Sequence, residues 1–167
     1  RNPDRSTMTH RAHPSHTPDD ANVAAMVRDA EASCEARGLA FTPLRREVFE
    51  LVCRHDNPVS AYELLDDLKE VRDGAAPVTV YRALEFLLSA GLVHRLAALN
   101  AYTACHGHEP GHGGLLLVCG NCSNVVELED AELQRNIARS AADLRFETSP
   151  DPVEVRGICS ACRHRAS

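Results

Sequence analysis

The residues best suited to chemistry are two C-x-x-C pairs. Cys119 and Cys122 follow a short apolar run, and Cys159 and Cys162 lie almost at the end of the sequence. Two such pairs supply the four thiolates of a closed tetrahedral zinc site, because each pair holds the metal from one tight turn. The pairs are 36 residues apart, more than in a zinc ribbon, so folded structure must lie between them. The spacing predicts a structural zinc that joins the two ends of a small domain.

A histidine-rich linker precedes the first pair. Residues 106–112 read H-G-H-E-P-G-H and contain an H-E-x-x-H motif, the signature of zinc metalloproteases. That chemistry needs both histidines one turn apart on a helix, and the Pro-Gly step at its centre disfavours a helix. We therefore interpret the motif as accidental and keep His112 as a candidate ligand. For His106 and His108 three roles stay open: they support a metal ligand without touching the metal, form an additional weak site, or are solvated linker. The tail histidines His10, His13 and His16 are expected to be solvated.

Composition narrows the classes of protein that fit. The chain has 167 residues, 44% of them hydrophobic and only 4% aromatic, and no run approaches the roughly 18 apolar residues of a membrane span. Its seven cysteines, with four in C-x-x-C pairs, favour metal ligands in a reducing compartment over a disulfide framework, so we expect a cytoplasmic protein. The net charge of −6 argues mildly against nucleic acid as a partner, unless cationic residues cluster on one face.

The elements that precede the linker have clear start signals. After a tail at residues 1–21, expected to be disordered, helices are predicted at 22–37, 43–54 and 61–71 and between Pro77 and Gly91. Thr42 and Ser60 are the predicted N-caps of the second and third helices. Cys34 and Cys53 lie on apolar stripes, so we interpret both as core residues. Extended segments at 92–96 and 101–105 follow, with a turn at Asn100 between them.

This order of elements, helices and then a hairpin, is that of a winged helix-turn-helix. In that fold the helix before the hairpin enters the major groove of DNA. The residues off the apolar stripe of that fourth helix are Thr79, Tyr81, Arg82 and Glu85. Arg82 could read guanine, since a guanidinium bonds both O6 and N7. The alternative is an ordinary solvated helix face.

Beyond the linker the pattern changes to a small mixed domain. Strands are predicted at 114–119 and 125–129, a helix at 130–144, and a strand at 146–158 that is interrupted at Pro150 and Pro152. An exposed sheet edge there would suit self-association. The sequence thus predicts an α+β chain with an N-terminal winged helix at 22–105, a linker at 106–113 and a small C-terminal α+β domain at 114–167.

Several motifs together resemble one known family. They are A-x-x-x-C-x-x-R-G-L-x-x-T-P-x-R from Ala30, S-A-Y-E-L-L from Ser60 and T-V-Y-R-A-L-E-F-L from Thr79, with the two C-x-x-C pairs. Over residues 22–163 the chain resembles the ferric-uptake-regulator (Fur) family, and within it the zinc-uptake-regulator branch. The resemblance implies a dimeric metal-dependent transcription repressor with a winged helix, a hinge and a dimerisation domain.

The resemblance also implies roles for individual residues. The four paired cysteines match the structural zinc site of the family, and Tyr62, Tyr81 and Arg82 match its DNA contacts. A second, regulatory zinc site is implied at His94, Cys105, His112 and Glu127, which makes two zinc ions per subunit. The Cys105 thiolate favours Zn²⁺ over iron or manganese, whose sites would use nitrogen and oxygen alone.

The expected function follows from these two sites. Zinc would act as corepressor, closing the hinge of a homodimer on a palindromic double-stranded operator of zinc-uptake genes, with no membrane and no small-molecule substrate involved. One alternative is a regulator of the same family that senses another metal. Alternatives of a different class are a zinc-dependent hydrolytic enzyme and a zinc-stapled scaffold that does not bind DNA.

Overall fold

The computed structural model describes residues 10–11, 19–105, 115–128, 130–149 and 151–165. Residues 19–105 form one compact unit, and the remaining described residues form another. The elements in chain order are β1 (His10–Arg11), α1 (Asp20–Ala36), α2 (Pro43–Arg54), α3 (Ala61–Val71), α4 (Pro77–Ser89), β2 (Val93–Leu96), β3 (Ala101–Ala104), β4 (Leu115–Cys119), β5 (Val125–Leu128), α5 (Ala131–Asp143), β6 (Val153–Gly157) and α6 (Ser160–Arg165). Within these ranges no helix is long and apolar enough to cross a membrane.

Local caps set the helix boundaries of the N-terminal unit. The Thr42 side chain accepts a hydrogen bond from the Arg45 N–H, and Pro43 occupies the first position of α2. α3 begins with a capping box, in which the Ser60 N–H donates to Glu63 Oε2 at 2.8 Å and the Glu63 N–H donates to Ser60 Oγ at 3.3 Å. Both helix starts are as the sequence predicts.

The four helices enclose one apolar core with the wing. Phe49, Leu64, Leu84 and Leu87 are fully buried at its centre. Cys34 and Cys53 are 0% and 3% exposed, which confirms that they serve in packing. Burial raises the pKa of the Cys53 thiol to about 12, so it stays protonated as a small hydrophobic side chain.

The predicted wing is a two-stranded antiparallel hairpin. β2 pairs with β3 in a register that sets His94 opposite Thr103 and Arg95 opposite Tyr102. Asn100 adopts a left-handed φ of 48° in the connecting turn, as a predicted turn residue should. A bridge between Val59 and Tyr102 adds a third extended segment, which ties the wing to the residue before the α3 cap.

The C-terminal unit is a four-stranded sheet in the order β1-β5-β4-β6. β4 pairs antiparallel with β5 and parallel with β6, and α5 makes the connection from β5 to β6. Asp130 caps α5 by accepting from the N–H groups of Glu132 and Leu133, both at 2.9 Å. Among the described residues, this unit buries few aliphatic side chains: Leu116, Val118 and Val125.

The structure differs from the sequence prediction near the C-terminus and within the predicted N-terminal tail. The predicted strand at 146–158 is wrong for residues 146–149, which have no regular structure, because β6 begins only at Val153, after Pro152. The second C-x-x-C runs into the unpredicted short helix α6. Within the predicted tail, α1 begins at Asp20 with Asp19 as its cap, and residues 10–11 pair with β5. The rest of the tail and the predicted hinge at 106–113 lie outside the described residues.

Candidate functional site

The structure brings the four paired cysteines together in the C-terminal unit. Cys119 ends β4, Cys122 lies in the turn after it, Cys159 follows β6, and Cys162 lies in α6. All four Sγ atoms are within 4.8 Å of one another, and those of Cys122 and Cys159 are 3.8 Å apart. A tetrahedral site with Zn–S bonds of about 2.3 Å separates its sulfurs by ~3.8 Å, so the cluster has the dimensions that zinc requires.

The electrostatics of the cluster favour a bound cation. Backbone N–H groups of Cys159, Cys122 and Asn121 donate to the Cys119 sulfur and lower its pKa to about 6. Hydrogen bonds with the neighbouring sulfurs of Cys122 and Cys159 raise the pKa of Cys162 to about 12. One thiol therefore ionises readily, but four thiolates at this separation need a cation among them. The residues present fit a structural zinc.

A second pair of donors lies in the wing. His94 on β2 is 9% exposed and Cys105, just after β3, is fully buried. A ring nitrogen of His94 and the Cys105 Sγ lie within 4.8 Å of each other. The Cys105 N–H donates to the Leu92 carbonyl at 2.9 Å, which extends the hairpin pairing and fixes the thiol beside the imidazole. A thiolate with an imidazole suits zinc better than iron or manganese, which fits the predicted regulatory set.

The other predicted members of the regulatory set lie elsewhere in the chain. Glu127 is half-buried on β5, opposite Leu116, in the C-terminal unit. His112 lies outside the described residues, as do His106, His108 and the H-E-x-x-H motif. Of the tail histidines, His13 and His16 also lie outside them, while His10 lies on β1.

The predicted DNA contacts lie on two helices of the N-terminal unit. Tyr62 in the first turn of α3 is 70% exposed, and Tyr81 on α4 is 43% exposed. Arg82 on α4 is also exposed, whereas Thr79 is half-buried. Two tyrosine hydroxyls and a guanidinium therefore face solvent, and all three groups can bond to phosphate or bases.

Tyr62 and Tyr81 line one cleft of about 320 Å³ between α3, α4 and the wing. Arg95 and Asn100 of the wing line the same cleft, and Arg95 Nη2 donates to Asn100 Oδ1 at 3.2 Å. Arg95, a cationic residue of this surface, was not among the residues predicted to contact DNA. Strand alternation does not identify it, because Val93, His94 and Leu96 of β2 are all buried and Arg95 is exposed between them. Its charge is the signal in the sequence, since an arginine is rarely buried.

Comparison with known proteins places these features in one family. Residues 36–156 match the family model described as the ferric uptake regulator family. The chain belongs to this family. Both the helix-rich N-terminal region and the small sheet domain are therefore those of a ferric uptake regulator, and the predicted α+β fold is confirmed.

Relatives within the ferric uptake regulator family point to its zinc branch. The chain is 40% identical over 139 residues to the zinc uptake regulation protein of Escherichia coli (strain K12). The aligned residues make up 82% of this chain and 81% of the relative. This chain is also 32% identical to the zinc uptake regulation protein of Mycobacterium tuberculosis (strain ATCC 25618 / H37Rv). That alignment covers 77% of this chain and 98% of the relative. A solved zinc uptake regulator complexed with zinc and DNA aligns with a TM-score of 0.81 at 35% identity, covering 86% of this chain and 97% of that one.

Proposed function

We propose that the chain is a zinc-responsive transcriptional repressor of zinc-uptake genes. As a homodimer in the cytoplasm, it would bind a palindromic operator when its regulatory sites hold zinc. The observation that carries this proposal is the His94–Cys105 pair, a buried imidazole and thiol built into the wing of a winged helix. Because these metal donors lie in the wing, a bound metal would act on the element that positions the DNA-binding domain on DNA.

The regulatory site is proposed to contain His94, Cys105, His112 and Glu127. The wing supplies the first two donors, the linker supplies His112, and strand β5 supplies Glu127. Zinc, when bound, supplies a redox-inert tetrahedral centre for these four donors. Because the donors come from both units, complete coordination selects one domain arrangement out of those the hinge allows, which is what an allosteric switch requires.

The four paired cysteines are proposed to hold a second, structural zinc in every subunit. The set leaves no open coordination position, so its role is to hold β4, β6 and α6 together rather than to exchange metal. The 3.8 Å separation of the Cys122 and Cys159 sulfurs supports this assignment. Two zinc ions per subunit would then fall into a retained class and an exchangeable class.

DNA recognition is proposed to use α4 in the major groove. Arg82 would bond bidentately to a guanine, Tyr81 and Thr79 would contact adjacent backbone or bases, and Tyr62 of α3 would contact phosphate. The exposure of Tyr62, Tyr81 and Arg82 supports these roles. Because the net charge is −6, DNA binding requires a local cluster of cationic residues, and this cluster would include Arg95 on the wing.

Self-association is proposed to use the C-terminal unit. Large apolar side chains remain exposed there in the single chain, including Leu117 at 38%, Val155 at 44% and Phe146 at 68%. α5 has no buried residue, so its amphipathic face is also incompletely covered. A second copy of the chain would shield this surface, and an operator with two half-sites matches a dimer with two recognition helices.

A gel-shift assay across buffered free zinc tests the proposal. Duplexes from candidate zinc-transport promoters should bind only above a threshold of free zinc, whereas a shuffled duplex should stay unbound. Matched titrations with Fe²⁺ and Mn²⁺ address the alternative of another metal, and either ion driving binding at lower free concentration than zinc would establish it. Metal-independent binding, or no sequence preference at any zinc concentration, would contradict the proposal.

A further inference from the structure

The outer face of α4 exposes a branched aliphatic residue. Val78 is 55% exposed, whereas the core-facing residues of the helix are almost completely buried. Those buried residues are Val80, Ala83, Leu84 and Leu87. Val78 was not among the residues predicted to contact DNA, because an apolar residue in a helix is ordinarily expected to face the core.

The position of Val78 aligns it with the proposed reading residues. Side chains three and four residues apart share a helix face, so Val78, Tyr81 and Arg82 lie on one face of α4, and all three are exposed. Val78 is also the second residue of the helix. In helix-turn-helix proteins the first residues of the recognition helix contact base edges.

A valine at position 78 contributes little to the stability of the fold. A β-branched side chain loses χ1 freedom in a helix, which makes valine a weaker helix former than alanine or lysine. With more than half of its surface exposed, Val78 also gains little from burial. A partner lying against this face of α4 would bury the exposed part of Val78.

We propose that Val78 recognises a thymine in the operator through apolar contact with the C5-methyl group. The inference rests on the proposed function, since it requires α4 to lie in the major groove. A valine side chain has no donor or acceptor, and the thymine methyl is the apolar feature that the major groove displays. Residues four apart on a helix are about 6 Å apart and stacked bases about 3.4 Å, so this thymine lies roughly two base pairs from the guanine that Arg82 contacts.

Deoxyuridine supplies a direct probe, because it differs from thymidine only by the missing methyl group. A selection from random-sequence duplexes with the zinc-loaded full chain gives the duplex to be tested. Each thymine in it is then replaced by deoxyuridine, symmetrically in both half-sites. At one position the wild type should lose roughly three- to fivefold in affinity per half-site, the value of one methyl group, and about tenfold or more for the pair.

The variant Val78→Ala completes a double-mutant cycle with this substitution. It should bind the unmodified duplex about as weakly as the wild type binds the deoxyuridine duplex, and should lose nothing further with deoxyuridine at that position. Val71→Ala is the matched control, since Val71 ends α3 and is 68% exposed. It should keep the wild-type sensitivity. Circular dichroism and zinc content should be unchanged in both variants.

The outcomes separate this inference from the proposed function. A selected duplex without a deoxyuridine-sensitive thymine, or a Val78→Ala variant that keeps the full penalty, overturns the role of Val78 and leaves zinc-dependent operator binding intact. A selection that enriches no sequence in the presence of zinc overturns the proposed function itself.

Discussion

Replacing Cys119 by serine should unfold the C-terminal unit while the winged helix stays folded. The substitution removes the sulfur that ends β4 and on which the N–H groups of Cys159, Cys122 and Asn121 converge. A hydroxyl is a much poorer zinc ligand than a thiolate, so the remaining three thiols no longer close the site.

The magnitude follows from the small core of this unit. Leu116, Val118 and Val125 are its buried aliphatic residues within the described ranges, at 1%, 2% and 8% exposure. At about 2 kcal/mol for each side chain, they contribute about 6 kcal/mol in all. Structural zinc contributes roughly 10–16 kcal/mol of apparent binding energy in small zinc-finger peptides. Loss of the metal therefore removes the larger contribution to the stability of this unit. The roughly 6 kcal/mol from the three buried side chains is too small to replace it.

The assay combines metal content, molecular mass and thermal denaturation. Cys119→Ser should lose at least one zinc per subunit, become monomeric or aggregated, and keep only the unfolding transition of the helical N-terminal unit. Cys34→Ser provides the matched control, because it makes the same change at a fully buried cysteine of α1. That variant should lower the stability of the N-terminal unit and keep both zinc ions.

A folded Cys119→Ser dimer with wild-type zinc content would refute this reasoning. It would mean that the sulfur cluster does not hold a structural metal, and that the exposed apolar surface of the C-terminal unit is stabilised by dimerisation alone.

Two further substitutions test the N-terminal unit. Arg82→Ala should weaken operator binding by about 1–3 kcal/mol and relax discrimination at one base pair, with zinc content unchanged; an equal loss on random DNA, measured by fluorescence anisotropy, would make Arg82 a phosphate contact instead. Ser60→Ala should cost the unit about 1 kcal/mol at pH 7, measured by denaturant unfolding. Hydrogen bonds from the Ser60 hydroxyl and N–H lower the pKa of Glu63 below its ordinary value of 4.5. The part of the stabilisation that the Glu63 carboxylate contributes is therefore fully present above pH 4.5 and is lost as pH falls through the folded pKa. The difference in unfolding free energy between wild type and Ser60→Ala should therefore narrow in acid, to the part that comes from the Glu63 N–H donating to Ser60 Oγ. A difference that does not change with pH would exclude the bond from the Ser60 hydroxyl to the Glu63 carboxylate as a contributor.

The parts of the fold that local signals encode were predictable from sequence. Thr42 and Ser60 cap α2 and α3 as expected, because an N-cap depends on residues within one turn of itself. The convergence of the two C-x-x-C pairs was equally predictable, since one spacing pattern specifies both halves. α6 was missed because its six residues are too few to show helical periodicity.

The functional surface of the winged helix was only partly predictable. Arg95 and Val78 were missed. The cleft that Arg95 shares with Tyr62 and Tyr81 depends on how the wing packs against α3 and α4, and the exposure of Val78 depends on how α4 packs against the core. The pairing of His94 with Cys105 also depends on the β2–β3 register, which brings together residues that are 11 positions apart in the sequence. In the sequence, only the family resemblance connects those two residues.

The central claim is that zinc bound at Cys105 controls operator binding. Its most direct test is the operator affinity of Cys105→Ser, measured against buffered free zinc together with zinc content. The fold and the dimer should survive, zinc content should fall from two ions to about one per subunit, and operator affinity should stay at the non-specific level, typically 10³-fold or more below specific binding. Cys53→Ser, the same change at a buried cysteine of α2, should keep the zinc response. Normal zinc-dependent binding by Cys105→Ser, at unchanged zinc content, would contradict the account.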